Sequence, residues 1–255
     1  LDAGSAPPAA AGGAIGQGHT EYVLRRPPFG NTVKTAHDMH REFEVLAKLS
    51  KVYSPAPKPL IYSSDASVIG SEFYLMERRE GLIIRGKIPG TLSLGVPPLG
   101  GPTGNEPPKG GTPSQICRAF IKNLADLHSL DPRDANLNTL GKPDGYNRRQ
   151  VEGWTKRYFA AKTDEHPELE STISWLNDNI PPESGASLIH NDYKFDNVML
   201  DPEDLTRVTA VLDWEMVTIG DPLMDLGTTL GYWMSRDAPE WLLNMPFNPR
   251  ILMEN

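Results

Sequence analysis

The residues whose types and spacing could do chemistry fall in one stretch: His190-Asn191-Asp192, then Asn197, then Asp213. Between them two aliphatic runs, Val198 to Leu200 and Val208 to Leu212, flank Asp201-Pro202-Glu203-Asp204 and read as a hairpin with turn residues at its tip. Such a hairpin gathers Asp192, Asn197 and Asp213 around one point, supplying two carboxylates and an amide oxygen. Magnesium prefers oxygen donors, keeps several waters and reaches substrate phosphates through one or two protein ligands. Asn197 and Asp213 are the candidate metal ligands. Phosphoryl transfer to an alcohol also needs a group to receive the hydroxyl proton, and Asp192 is the candidate catalytic base, with His190 orienting the loop by hydrogen bonding. Isolated His, Asp and Asn are commonly turn and capping residues. An ordered string of them in a strand context is a far more specific signal.

The elements that must hold this stretch can be read around it. Glu21 to Arg25 reads as a strand closed by Pro27-Pro28, and Thr35 to Leu49 carries Met39, Phe43, Leu46 and Leu49 at helical spacing. Val68-Ile69 and Phe73 to Met76 read as two strands joined through Gly70-Ser71. A small sheet on one helix is expected over residues 19–80. Residues 81–255 are expected to be mainly helical, with helices over Ser114 to Leu130, Trp154 to Ala161 and Glu168 to Asn177. Glycine and proline dominate near 89–113, the composition of a loop or insertion, and residues 1–18 hold too little large apolar content to pack, so a flexible leader is expected there. The fold class is α+β.

Composition narrows the functions. With a formal charge of -8 the chain is a poor partner for nucleic acid phosphates, and no apolar run approaches the length of a membrane span. The single Cys117 forbids an internal disulfide, and the N-terminal residues lack a secretory pattern, so a cytoplasmic setting is expected. Cys117 lies in a helical apolar pattern and reads as a small hydrophobe.

His190-Asn191-Asp192 with Asn197, then Leu212-Asp213-Trp214-Glu215 and Gly220-Asp221-Pro222-Leu223-Met224-Asp225-Leu226, resemble the motifs of the aminoglycoside phosphotransferase and choline kinase-like family. Within that family, Tyr22 to Pro28, Leu124 to Asp131 and Gln150 to Trp154 resemble the kinase-like domain related to acyl-CoA dehydrogenase family members 10 and 11. The resemblance covers about residues 20–235 and implies a bilobal, protein-kinase-like fold using ATP and magnesium. It assigns Asp192 as base and Asn197 and Asp213 as metal ligands, in agreement with the reading of the residues. It further implies that Arg25 meets the nucleotide phosphates, that Glu42 is its ion-pair partner, and that backbone near Glu77 and Arg78 meets adenine. Arg26 would take the place of Arg25 if the strand register slipped. Asp221 and Asp225 would be structural supports.

Some features depart from the family pattern. The glycine before the aspartate is replaced by Asn191, a residue that enters the left-handed region more readily than most. The glycine-bearing strand pair is abbreviated to Gly12-Gly13 and Gly16-Gln17-Gly18, and the chain stops at Asn255, so incomplete phosphate cover and an incomplete large lobe are expected. Two functions follow: a kinase for a small hydroxylated molecule, such as a hydroxyacyl thioester or an aminoglycoside-like alcohol, or a pseudokinase serving as a nucleotide-binding or interaction module. A protein kinase is disfavoured because Asp213-Trp214-Glu215 lacks the Asp-Phe-Gly signature. Arg148, Arg149, Lys156 and Arg157 form a basic cluster suited to an acidic substrate or to a solvated helix face. His128 reads as a packing or lobe-bridging residue, and Trp154, Trp175, Trp214 and Trp233 as core.

Overall fold

A computed structural model describes residues 20–28, 38–85, 111–235, 237–245, 247–248 and 252. The leader, the glycines near it and most of the Gly/Pro-rich segment lie outside these residues.

The first sheet is antiparallel, in the order β1 (Tyr22–Arg25), β3 (Phe73–Glu77), β2 (Pro59–Ser63), with α1 (Met39–Leu49) packed against β2 and β3. α1 begins at Asp38, whose carboxylate accepts from the Arg41 N–H, and buries Met39, Val45, Leu46 and Leu49 along one face. The expected hairpin through Gly70-Ser71 is corrected here. Val68 and Ile69 belong to a short helix, α2 (Ala66–Ile69), capped by Asp65 and ended by left-handed Gly70. Both are on the surface. The partner of β3 is β2, whose Pro59 occupies the first strand position, where a missing N–H is tolerated.

The second part carries α3 (Pro113–His128), α4 (Tyr146–Ala161) and α5 (Pro167–Asp178), followed by two small sheets. One is β4 (Leu82–Ile83), β6 (Val198–Leu200) and β7 (Val208–Val211); the other pairs β5 (Ser187–Ile189) with β8 (Thr218–Gly220). α6 (Pro222–Gly231) and α7 (Glu240–Leu243) follow. The expected hairpin of β6 and β7 is present, with Val198 opposite Val211. α3 starts with a reciprocal capping box between Thr112 and Gln115 and buries Ile116, Phe120, Leu124 and Leu127. Cys117 is partly buried and packs on the core, as expected.

Tryptophan burial divides. Trp214 is buried and Trp233 packs against the core, but Trp154 and Trp175 are 57% and 62% exposed. α4 and α5 pack mainly on each other, and this leaves their outer faces uncovered.

Phe120 at the middle of α3 carries the floor of the loop that follows β5. Its ring stacks on Phe195 at 4.1 Å and lies 4.5 Å from Tyr193. The Tyr193 hydroxyl bonds Asn123 Oδ1 at 2.9 Å, and the Tyr53 hydroxyl bonds the same oxygen at 2.7 Å. Phe120→Ala is expected to cost about 3–5 kcal/mol, measured as a lower denaturant midpoint. An unchanged midpoint would show that this ring cluster does not support the fold.

Candidate active site

β5 ends at Ile189 and the chain turns sharply through Asn191, which sits at φ +66. A side chain bearing a local hydrogen-bonding group tolerates this region best, and Asn191 uses its group fully. Its Oδ1 accepts from the Tyr146 hydroxyl at 3.0 Å, and its Nδ2 donates to the Met216 carbonyl at 2.9 Å. The turn is fixed from below by Asp225 on α6, whose carboxylate accepts from the His190 N–H at 2.8 Å and the Asn191 N–H at 2.7 Å. His128 Nε2 lies 2.9 Å from the same carboxylate. Burial would push the Asp225 carboxyl up, but the donors from His128 and His190 outweigh it and hold the group below its ordinary value. Asp221 caps α6 through the Leu223 N–H and also receives Ser184 and Asn147.

His190 is fully buried. Its Nδ1 accepts from the Asp192 N–H at 3.2 Å, which makes Nε2 the protonated nitrogen, donating to the Leu212 carbonyl at 2.9 Å. Burial lowers its pKa and keeps the ring neutral. The expected orienting role fits these bonds, since one ring connects the Asp192 backbone to the residue before Asp213.

Asp192 and Asn197 are brought together: Asn197 Nδ2 donates to the Asp192 carboxylate and to its carbonyl, each at 2.9 Å. That orientation turns the amide oxygen of Asn197 away from Asp192. The Leu212 N–H bonds the Asn197 carbonyl at 2.8 Å, so Asn197 and Asp213 stand at neighbouring strand ends. Asp213 is also left-handed, at φ +68, a conformation that costs energy in a non-glycine residue.

Arg25 and Glu42 join the site from the first sheet and its helix. The Arg25 guanidinium lies 3.2 Å from both Glu42 oxygens and 2.9 Å from Asp213 Oδ1. Burial works against the Arg25 charge, but Glu42, Tyr74 and Asp213 outweigh it and its pKa rises. Burial pushes the Glu42 carboxyl upward, against Arg25. Glu42 Oε1 also accepts the Trp214 N–H at 3.3 Å.

A cleft of about 300 Å³ opens beside this group, between apolar Val23, Met76, Met199 and Leu212. Glu77 and Arg78 form its rim, but their side chains turn elsewhere, Glu77 to the Lys58 N–H at 2.7 Å and Arg78 to Glu21. A second hollow, of about 850 Å³, lies on the other side of Asn191, between α4 and Glu215 to Ile219. Arg149, Arg157 and Trp154 line it, whereas Arg148 and Lys156 of the basic cluster are exposed and do not.

Two side chains beside the site escaped sequence reasoning. Lys194 Nζ meets both Asp192 oxygens, at 3.0 and 2.9 Å, and the Tyr232 hydroxyl donates to Asp192 Oδ1 at 2.6 Å. Alternation was the available signal for Lys194: Tyr193 and Phe195 are buried, so the residue between them faces the cleft side. Tyr232 lies beyond α6, and nothing in its neighbourhood marks it.

This fold, a small sheet side and a helical side meeting at the β6–β7 hairpin, is that of the kinase-like phosphotransferases. A protein from Ralstonia eutropha JMP134 described as an aminoglycoside phosphotransferase superposes with a TM-score of 0.65 at 32% identity, over 85% of this chain and 59% of that one. An aminoglycoside phosphotransferase solved with GDP and kanamycin shares the fold, with a TM-score of 0.58 at 14% identity over 92% of this chain and 75% of that one. Residues 14–246 match the model of the phosphotransferase enzyme family, and the chain belongs to that family. It is 40% identical over 225 residues to human acyl-CoA dehydrogenase family member 11, which is 88% of this chain but 27% of that protein. The expected α+β, kinase-like fold is the one observed. Among the described residues no helix is long and apolar enough to cross a membrane.

Asp225→Asn should destabilise the fold by about 3 kcal/mol, because it leaves His128 and two backbone N–H groups around a weaker acceptor. The depressed carboxyl gives wild-type stability that is complete above about pH 4 and lost as pH falls through the lower native value. Denaturant midpoints for both proteins between about pH 7 and pH 3 check this. The gap should narrow as pH falls, and a constant gap would count against the charged role.

Proposed function

We propose that this chain transfers the γ-phosphate of ATP to a hydroxyl group of a small molecule. The observation that carries the reading is the convergence of Asp192, Asn197, Asp213 and the Arg25–Glu42 pair on one edge of the β6–β7 hairpin. The narrow apolar cleft suits a flat purine between Val23 and Met76 above and Met199 and Leu212 below. Arg25, aimed by Glu42, would take the phosphates in place of its present bond to Asp213.

The donor set fits magnesium: a partly exposed carboxylate on Asp213 and an amide oxygen on Asn197, both hard ligands from rigid strand ends. When bound there, magnesium supplies charge neutralisation on the phosphate oxygens. Asp192 would accept the proton of the attacking hydroxyl. Lys194, now paired with Asp192, has the flexible stem and the charge to follow the transferring phosphoryl group instead.

The larger hollow suits the acceptor, since Asn191 in its wall adjoins Asp192. Arg149 and Arg157 give it positive charge, which favours an anionic alcohol such as a hydroxyacyl-CoA thioester, charged through its phosphates, over a polycationic aminoglycoside. The relatedness to acyl-CoA dehydrogenase family members supports the same choice.

Calorimetry should show magnesium-dependent ATP binding that Asp213→Ala weakens at least about tenfold, while Asp192→Asn keeps binding and lowers turnover by about 10²–10⁴. Folded wild-type protein that binds no ATP with magnesium would overturn the reading. Replacing Arg149 and Arg157 together by Ala should raise the KM for a hydroxyacyl-CoA thioester about tenfold, with the KM for ATP unchanged. An equal effect on a neutral alcohol would sink the charge argument.

A further inference from the structure

An ionised carboxylate offers about four lone-pair sites. In this protein all four on Asp192 are engaged. Lys194 Nζ reaches both oxygens, Asn197 Nδ2 adds a bond to Oδ2 at 2.9 Å, and the Tyr232 hydroxyl adds the shortest bond, 2.6 Å, to Oδ1. A base in this state cannot receive a hydroxyl proton until a donor leaves, and the three donors differ in how easily they can leave.

Lys194 is held by charge at the end of a long flexible stem, with its Nζ 5.1 Å from the Tyr232 ring centroid. Asn197 is held in the turn before β6 by backbone bonds on both sides. Tyr232 is held at the end of α6, where its N–H bonds the Thr229 carbonyl at 3.2 Å and its ring packs on Phe247 at 5.5 Å. The same helix carries Asp225, which fixes His190 and Asn191.

We infer that Tyr232 is a positioning residue for the phosphoryl-transfer reaction: its hydroxyl, with Asn197, pins the Asp192 carboxylate while Lys194 moves away to expose the lone pairs that take the proton. The inference rests on the kinase reading above. Departure of Lys194 frees one site on each oxygen, so the carboxylate stays fixed at two points and still has room for an acceptor hydroxyl. Burial and the bond to Asp192 push the Tyr232 phenol well above its ordinary range, so it remains the donor in that bond.

The test uses Mg-ATP with water as acceptor, reading slow ADP release alongside calorimetric ATP affinity for wild type, Tyr232→Phe, Asp192→Asn and the double variant. Tyr232→Phe removes one hydroxyl and keeps the ring. It should leave ATP affinity and the KM for ATP within about twofold while lowering kcat about tenfold, the equivalent of one lost charge-assisted hydrogen bond. In the Asp192→Asn background the same change should add less than about twofold, because its effect runs through the carboxylate. Equal losses in both backgrounds would mark Tyr232 as merely structural and overturn the inference, as would an unchanged kcat. Phosphate found on Tyr232 by peptide mass spectrometry after incubation with Mg-ATP would also overturn it, since the hydroxyl would then be an acceptor. Wild-type protein that binds no Mg-ATP would remove the kinase reading itself, and this inference with it. Normal binding and ADP release with an unaffected Tyr232→Phe variant would remove only this inference.

Discussion

A buried carboxylate is expensive to ionise, and in this chain Asp225 is ionised where solvent does not reach. That cost is offset only if its donors are all in place, and they come from two separate parts of the chain: His128 at the end of α3, and the backbone of His190 and Asn191 after β5. The requirement therefore locks α3, α6 and the loop before Asp192 to one another. With the backbone at 190 and 191 fixed, the His190 ring can bridge the Asp192 N–H and the Leu212 carbonyl. The position of Asp213 follows from that bridge and from the pairing of β6 with β7.

The second constraint crosses from the small sheet. One guanidinium serves two carboxylates, Glu42 from α1 and Asp213 from the end of the hairpin. Glu42 also holds the backbone at Trp214, and Arg41 donates to the Glu215 carbonyl at 2.8 Å and to that of Val217. α1 thus grips the segment after Asp213 at three residues. The left-handed backbone of Asp213 persists because the surroundings determine it from both sides.

Much of this was legible in the sequence because it rests on local pattern. The β6–β7 hairpin announces itself by two aliphatic runs around an Asp-Pro turn, and Asn191 in a left-handed turn follows from its side chain. Val68-Ile69 was misread because two apolar residues before glycine satisfy a strand reading. Asp65 as N-cap and Gly70 as a left-handed stop were the competing signals, and they prevailed. The tryptophans of α4 and α5 show a different failure. Residue type suggested burial, but the helices meet mainly each other, and no pattern within either one reports what covers its far side. Tyr232 needed a tertiary contact, which joins positions that local spacing does not connect, whereas Lys194 stands two residues from Asp192 between two buried aromatic residues.

The replacement of glycine by Asn191 has a structural consequence beyond tolerance of the turn. A glycine could satisfy the backbone, but it has no group to receive the Tyr146 hydroxyl or to donate to Met216. Tyr146 and Asn147 are the buried residues of α4, and Asn147 donates to Asp221 at 2.9 Å. The helix is therefore anchored by its first turn to the loop beside Asp192 and to the cap of α6, while its later turns carry Trp154 and Arg157 along the larger hollow. A ligand pressing on those later turns would act on a lever whose fixed end is bonded to the residue preceding the base. The same side chain that lets the chain turn sharply before Asp192 also couples that turn to the wall of the larger hollow, and a glycine could provide only the turn.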